Sequence, residues 1–259
     1  MADSVLEFYQ QLAPDYHLIY ADWSQAIERH GNALDRLIRA RYSGPPLAVL
    51  DCASGIGTQA IGLAARGYTV HATDLSPAAV ERAAAEAAAR GVALTVGVAD
   101  MRSLDTQVEG AFDVVLACDN AVPHLLTDDD LRAAARHMRA KLRQTGLLLI
   151  SIRDYDHLTL NRPPATTPQV VDDDSGRRIV FQVWDWADDG VTYKVNLFIL
   201  RQIEDGWHTA QFATTYRALL RAELSAILDA EGFADIRWHM PQDTGYFQPV
   251  VTARPEKQE

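Results

Sequence analysis

Between Leu47 and Asp74 the chain reads LAVLDCASGIGTQAIGLAARGYTVHATD, and no other stretch limits the fold as strongly. The apolar run Leu47–Leu50 predicts a buried strand, followed by a glycine-containing turn over Asp51–Thr58. A helix is expected over about Gln59–Arg66 and a second strand over Tyr68–Asp74, closing on an acid. Gly55 and Gly57 carry no Cβ, so the backbone of the turn can approach a ligand closely. The helix behind the turn presents unsatisfied N–H groups at its start. An acid at the end of the next strand is placed to accept hydrogen bonds from a ribose diol. The arrangement predicts a site for a nucleoside-bearing cofactor.

The alternation continues downstream. Leu94–Val98 reads as a third strand with Asp100 just beyond it, and FDVVLACDNAVPHLL (Phe112–Leu126) as a fourth strand and a short loop. A helix over about Asp128–Leu142, a turn at Thr145-Gly146 and the run LLLISIR as a fifth strand follow. Strands alternating with helices from Leu47 to Arg153 predict an α/β, doubly wound, mostly parallel sheet covered on both faces. The alanine-rich Pro77–Arg90 is a strong helix former with Ser76 or Pro77 at its start.

Two cofactor classes use such a turn. Gly55, Gly57 and Ala60 satisfy the dinucleotide fingerprint G-x-G-x-x-G/A, but its first glycine should follow the strand at once, and Asp51, Cys52, Ala53 and Ser54 intervene. An acid closing the strand, then small residues, then Gly-Ile-Gly, resembles motif I of the class I S-adenosylmethionine methyltransferases, with Ala53 where a glycine is usual. VADMR around Asp100 and the FDVV opening of the fourth strand resemble further signatures of that family. The resemblance implies a seven-stranded-type sheet.

Composition narrows the partners. With 24 Lys and Arg against 35 Asp and Glu, the net charge is -11, whereas binding to a phosphate backbone needs a basic surface. Nucleic acid is therefore not expected, and a small-molecule substrate is. No apolar run approaches the ~18 residues that span a bilayer, so no membrane association is expected. The segment MADSVLEFYQQL has no basic lead or apolar signal core, and Cys52 and Cys118 sit singly at strand ends. A cytoplasmic location is expected, and homo-oligomerisation is left open.

Residues 1–45 are expected to be a helical lid, with a long helix from about Ser24 to Tyr42 broken at Gly44-Pro45-Pro46. Its aromatics Phe8, Tyr9, Tyr16, Tyr20 and Trp23 are read mainly as packing. Residues 46–156 form the expected cofactor-binding core. After Arg153 three long β-type runs separated by Asp189-Gly190 and Asp205-Gly206 predict an antiparallel meander. This insertion, residues 157–215, precedes the last helix, AELSAILDAEGF, which ends at Gly232. Residues 216–259 complete the core through ADIRWHM and GYFQPVVTAR. The acids Asp128–Asp130 are assigned to the helix dipole. Asp172–Asp174 before Ser175-Gly176 are assigned to a hairpin turn, and no metal site is expected.

SIRDYD (Ser151–Asp156) together with DNAVPHL (Asp119–Leu125) resembles glycine N-methyltransferase and the bacterial glycine/sarcosine methyltransferases, over about residues 47–156 and again near ATTYRALLRAEL. The resemblance implies S-adenosylmethionine as methyl donor, S-adenosylhomocysteine as product, and a small carboxylate-bearing acceptor such as the amine of glycine or sarcosine. It implies that Arg153 grips the acceptor carboxylate with help from Asn120, and that Tyr216 reaches the substrate from the insertion. It places Asp74 and Leu75 at the ribose, Asp51, Ala53, Gly55 and Gly57 in the loop beside the methionine part, and Asp100 and Met101 at the adenine. Cys118 and Asp119 follow the fourth strand on the cofactor side, and Arg29 is aligned with an arginine that pairs with the cofactor's carboxylate.

Read from the residues alone, several roles have alternatives. Arg153 could pair with Asp154 or Asp156. His124 is either a general base or structural, and Asp119 is either a cofactor-loop residue or a helix cap. Tyr16, Trp23 and Tyr216 are the aromatics expected near the transferred methyl, while Trp184, Trp186 and Trp207 are read as sheet packing. The rival functions are methylation of N or O on another small metabolite, and a binding module without catalysis.

Overall fold

The computed structural model describes residues 2–44, 47–174 and 176–256. An N-terminal helix α1 (Ala2–Leu12), a short 3-10 turn (Tyr16–Ile19) and α2 (Trp23–Arg39) lead into a sheet of strands and crossover helices. These are β1 (Ala48–Asp51), α3 (Thr58–Ala64), β2 (Thr69–Asp74), α4 (Pro77–Ala89), β3 (Thr95–Val98), α5 (Leu104–Gln107), β4 (Phe112–Ala117), α6 (Asp128–Lys141) and β5 (Leu142–Ser151). Then come α7 (Tyr155–Asn161), four strands β6 (Gln169–Asp173), β7 (Gly176–Trp186), β8 (Thr192–Ile203) and β9 (Gly206–Arg217), and finally α8 (Arg221–Ala230), β10 (Phe233–His239), α9 (Pro241–Thr244) and β11 (Val250–Pro255).

The main sheet has the order β10-β11-β5-β4-β1-β2-β3, parallel throughout except for β11, which runs antiparallel to β5 and β10. Its central strands are buried on both faces because Val49, Leu50, Val114, Val115, Leu116, Leu148 and Leu149 leave no polar side to the ribbon. The helices start where the sequence offers side-chain caps. Asp22, Ser76 and Thr127 accept from the backbone N–H of Gln25, Ala79 and Asp130, each contributing about 1 kcal/mol. Helix α2 crosses α3 so closely that a Cβ on Gly62 would lie 2.6 Å from the Ile27 carbonyl oxygen.

The second sheet, β6-β7-β8-β9, is antiparallel. Its β6 strand was not expected: Asp172–Asp174 read as a turn, but a strand pairs with β7 from Gln169 through Asp172 and Asp173. Asp172 and Asp173 pair with Arg177 and Arg178, and Ser175 of that turn lies outside the described residues. One end of this sheet, through Trp184, Tyr193, Val195 and Tyr216, packs into the same cluster as Leu125, Ile152 and Tyr155 of the main core. The other end, through Val180, Leu197, Ile199 and Phe212, carries Phe8, Leu12 and Leu18 of the N-terminal segment.

Other expectations shift. The Thr145-Gly146 turn is absorbed into β5, whose pairing with β4 slips between Phe112 and Val114, while Thr145 accepts from the Tyr42 hydroxyl. SIRDYD is not strand throughout, since β5 stops at Ser151 and α7 begins at Tyr155. Helix α2 ends at Arg39, and the Pro45-Pro46 break lies outside the described residues. Strand β9 runs past residue 215 to Arg217, and α9 follows the helix expected to be last. Trp207 is 42% exposed on the antiparallel sheet, so it is not packing there. Among the described residues no helix is long and apolar enough to cross a membrane.

Candidate active site

A cleft of about 1180 Å³, part of it open to solvent, lies over the carboxyl ends of β1, β2 and β4. The strand order reverses between β1 and β4, the place where open α/β sheets bind ligands. The loop after β1 forms one wall. The Ser54 N–H donates to the Thr73 carbonyl and the Gly57 N–H to the Ser54 carbonyl, closing a tight turn. Gly55 has φ +52° and Gly57 φ +93°, and a Cβ on Gly55 would reach 3.2 Å from the Tyr16 ring. The Asp74 carboxylate accepts from the Gly55 N–H at 2.8 Å and the Ser76 N–H at 2.9 Å, which locks the second strand's acid to the loop. Burial raises the Asp74 pKa.

Beneath this wall Asp51 is 1% exposed, and burial pushes its carboxyl up to about 8. Its Oδ2 and the Ser54 Oγ have no hydrogen-bond partner. A buried polar atom left unpaired costs about 1–3 kcal/mol, so these two orphans mark where a ligand's polar groups would settle. With a carboxylate at Asp74 where a ribose diol is expected and small residues at Ala53 and Gly55, the wall has a donor set and room that fit S-adenosylmethionine. Asp100 and Met101 also line the cleft, near the end of β3. The Asp100 carboxylate is held by the Arg102 guanidinium, which lowers its pKa against the opposing effect of burial.

The opposite wall starts where β4 ends. Asp119 and Asn120 have φ of +59° and +65°, a conformation costing ~1–3 kcal/mol for such residues. It persists because the Asp119 N–H donates to the Ser151 Oγ and the Asn120 N–H to the Ser151 carbonyl. The Asn120 Oδ1 accepts from the Arg153 N–H and the Tyr155 hydroxyl, both at 3.0 Å. That fixes the amide, and its Nδ2 is buried without a partner. The Arg153 guanidinium donates to the Tyr193 hydroxyl at 2.8 Å and to the Gln182 Oε1 at 3.1 Å, and lies over the rings of Trp184 and Tyr216 at 5.0 and 5.1 Å. Asp154 and Asp156 both go to Arg221. Among the described residues Arg153 therefore has no carboxylate partner.

His124 lines the cleft, with Nε2 2.9 Å from the Tyr9 hydroxyl and its ring 4.1 Å from that of Tyr216. Burial and, next, the Arg153 charge lower its pKa to about 3. A group that weakly basic holds no proton at neutral pH, and its contacts with Tyr9 and Tyr216 fit the structural alternative. Asp119 caps no helix: it lines the cleft and accepts from the Tyr20 hydroxyl at 3.0 Å.

Of the residues singled out from the sequence, Ala53, Gly55, Asp74, Leu75, Asp100, Met101, Cys118, Asp119 and His124 line one cleft. Asp51, Gly57, Asn120, Arg153 and Tyr216 do not line it, but each adjoins residues that do: Tyr216 packs on His124, Arg153 lies over Tyr216, and Asn120 accepts from the Arg153 N–H. Arg29 is a correction: it is exposed on the outer side of α2, in a separate depression with Glu28, Asn32 and Arg36. The helix turns it away because His30 takes the inward position. Trp23 is another, since its indole donates to the Thr58 hydroxyl and Arg90 covers its ring. Sequence reasoning missed the individual roles of Tyr9 and Tyr20. Among the N-terminal aromatics the hydroxyl-bearing Tyr9, Tyr16 and Tyr20 line the cleft, whereas Phe8 and Trp23 are packed away. That chemical difference was a usable signal. Tyr155, Gln182 and Tyr193 gave none.

Residues 49–146 match the methyltransferase domain model. The chain is 30% identical over 194 residues to the glycine/sarcosine N-methyltransferase of Parasynechococcus marenigrum, covering 70% of this chain and 66% of that protein. It is 31% identical over 138 residues to the glycine/sarcosine/dimethylglycine N-methyltransferase of Actinopolyspora halophila, covering 53% of this chain and 24% of that protein. The solved S-adenosylmethionine-dependent methyltransferase from Clostridium acetobutylicum superposes with a TM-score of 0.72 at 15% identity, over 88% of this chain and 92% of that one. The sheet order, the glycine loop locked to Asp74 and these matches lead to one assignment: the chain belongs to the class I S-adenosylmethionine-dependent methyltransferases.

Proposed function

We propose that the protein methylates the amine of a small amino acid, glycine, sarcosine or a close relative, at the acceptor end of this cleft. The observation that carries the reading is the Arg153 guanidinium, which has no carboxylate partner among the described residues, together with the unpartnered Nδ2 of Asn120, whose Oδ1 accepts from the Arg153 backbone N–H. A guanidinium holds a planar carboxylate by two parallel hydrogen bonds, and the Asn120 Nδ2 supplies a further donor.

When bound, S-adenosylmethionine supplies an activated methyl group on a sulfonium. The chain's task is alignment, which removes most of the entropic cost of bringing two reactants together. The loop Ala53–Gly57 and Asp74 would fix the donor side. Asn120 and Arg153 would fix the acceptor carboxylate, with the guanidinium oriented by Tyr193 and Gln182. The rings of Tyr9, Tyr16 and Tyr20 wall the cleft against water, and their π faces favour developing positive charge. The names of the two relatives above support the amino-acid acceptor, and no metal is needed for an in-line transfer.

The test is S-adenosylhomocysteine release from S-adenosylmethionine with a panel led by glycine, sarcosine and dimethylglycine. Turnover with one of them is the expected result. Silence across the panel with the donor still bound moves the acceptor to another metabolite, or makes the protein a binding module.

A further inference from the structure

Four carboxylates line the cleft: Asp74, Asp100, Asp119 and Asp130. Asp74 is held by two backbone N–H groups, and Asp100 and Asp130 share the Arg102 guanidinium. Asp119 differs, because the Tyr20 hydroxyl is its single hydrogen-bond donor among the described residues. It precedes Asn120 in the chain, and its carboxylate feels the Arg153 charge, which sets it among the groups proposed to hold the acceptor's carboxylate. Resting on the proposed acceptor reading, we infer that Asp119 is the group that binds the acceptor's ammonium and takes its proton before methyl transfer.

An amino acid reaches the site as a zwitterion, and the acceptor wall offers the matching pair: a guanidinium without a carboxylate partner among the described residues, and a weakly solvated carboxylate for the ammonium. An ammonium has no lone pair, so it cannot attack until a proton leaves. In the step, the N–H bond breaks and an O–H bond forms on Asp119. The electron pair stays on nitrogen as the nucleophilic lone pair, and the proton passes to water once product has left. His124 is the poorer candidate, because burial and the Arg153 charge make its ring weakly basic and its Nε2 lies 2.9 Å from the Tyr9 hydroxyl. Burial raises the Asp119 pKa, while the Tyr20 hydrogen bond and then the Arg153 charge lower it. That direction suits a proton acceptor at neutral pH. The groups facing it are Tyr16 and Tyr20 from the N-terminal segment, Tyr216 of β9, Tyr246 near the C-terminus and the neighbouring Cys118, whose pKa values its charge raises, and Arg153 after β5, whose charge lowers its own.

Tyr20 is a positioning residue, and the second sheet sets its place. Arg178 of β7 donates to the carbonyls of Leu18, Tyr20 and Ala21, so the turn that carries the hydroxyl is clamped from the opposite sheet.

The test compares glycine with acetate, which has the carboxylate but no amine, titrated calorimetrically into the protein saturated with S-adenosylhomocysteine. Wild-type protein should prefer glycine by about tenfold. Asp119→Asn, which tolerates the same left-handed backbone, should lose that margin while acetate affinity and S-adenosylhomocysteine affinity hold. Its turnover should climb by about tenfold per pH unit up to the amine's own pKa, where wild type has already levelled. Tyr20→Phe should move the acid limb of the wild-type profile to higher pH. A variant that keeps both the glycine preference and the wild-type profile overturns the inference. A variant that loses S-adenosylhomocysteine affinity instead assigns Asp119 to the cofactor, and also overturns it. Wild-type protein that binds neither acetate nor glycine refutes the carboxylate clamp itself, and this inference with it.

Discussion

The two walls of the cleft are built in different ways. The cofactor wall comes from one stretch, Asp51 to Met101, whose parts are adjacent strands and the turns between them. Its geometry is carried by backbone hydrogen bonds: Gly55 and Ser76 hold Asp74, and Ser54 is tied to Thr73. The acceptor wall is gathered from Tyr9–Tyr20, Asp119–His124, Arg153–Tyr155, Gln182–Tyr193 and Thr214–Tyr216, and its geometry is carried by side chains. A backbone-built wall tolerates sequence change at most positions and keeps its ligand. A side-chain-built wall can change what it accepts by single substitutions. The difference predicts that donor and acceptor binding can be damaged separately.

The pH response should expose the contrast most strongly. Asp51, under the cofactor wall, has its folded-state pKa raised from 3.8 to about 8. The folded chain keeps a proton that the unfolded chain releases, so its contribution is lost as pH rises from about 4 to about 8. Relative to wild type, Asp51→Asn should gain stability over that window, by about 6 kcal/mol at most. His124, on the acceptor wall, is lowered from 6.5 to about 3. There the unfolded chain binds the proton, and stability is lost as pH falls from about 6.5 towards 3. Urea unfolding at pH 5, 6.5 and 8 reads both slopes, and an Asp51→Asn gain that does not depend on pH would break the assignment.

Arg153→Ala should lower kcat/KM for an amino-carboxylate acceptor by about 100- to 1000-fold. Affinity for S-adenosylmethionine should stay within about threefold, and Arg153→Lys should raise KM by about tenfold. Collapse of donor affinity in either variant would merge the two walls. Asp74→Asn should do the reverse, weakening S-adenosylmethionine by about 30-fold while acetate still binds, as isothermal titration would record. The smallest expected effect is outside the cleft. Trp207→Ser should shift stability by less than about 0.5 kcal/mol in chemical denaturation, since that side chain is 42% exposed.

Legibility followed the same division. Asp74 and Gly55 could be read because their partners lie within one strand–turn–helix–strand unit, where spacing along the chain fixes spacing in space. Arg29 failed for the complementary reason: on α2 one residue's difference in register chooses between the cleft and solvent, and His30 took the inward position. Asn120 and Arg153 could be named from a resemblance. What holds them, the Tyr193 and Tyr155 hydroxyls and the Gln182 amide, could not, since these residues meet only when the second sheet docks on the first.

By itself the sequence determined the parallel sheet, the glycine turn and the acid that closes the second strand, because each follows from local periodicity and from which residues lack a Cβ. The tertiary structure decided which charges stay unpaired. Arg221 draws off Asp154 and Asp156 and leaves Arg153 without a carboxylate partner, while Arg102 draws off Asp100 and Asp130 and leaves Asp119 with one neutral donor, among the described residues. Competition among side chains for partners depends on distances across the fold, and those distances exist only once the two sheets and the N-terminal segment have come together.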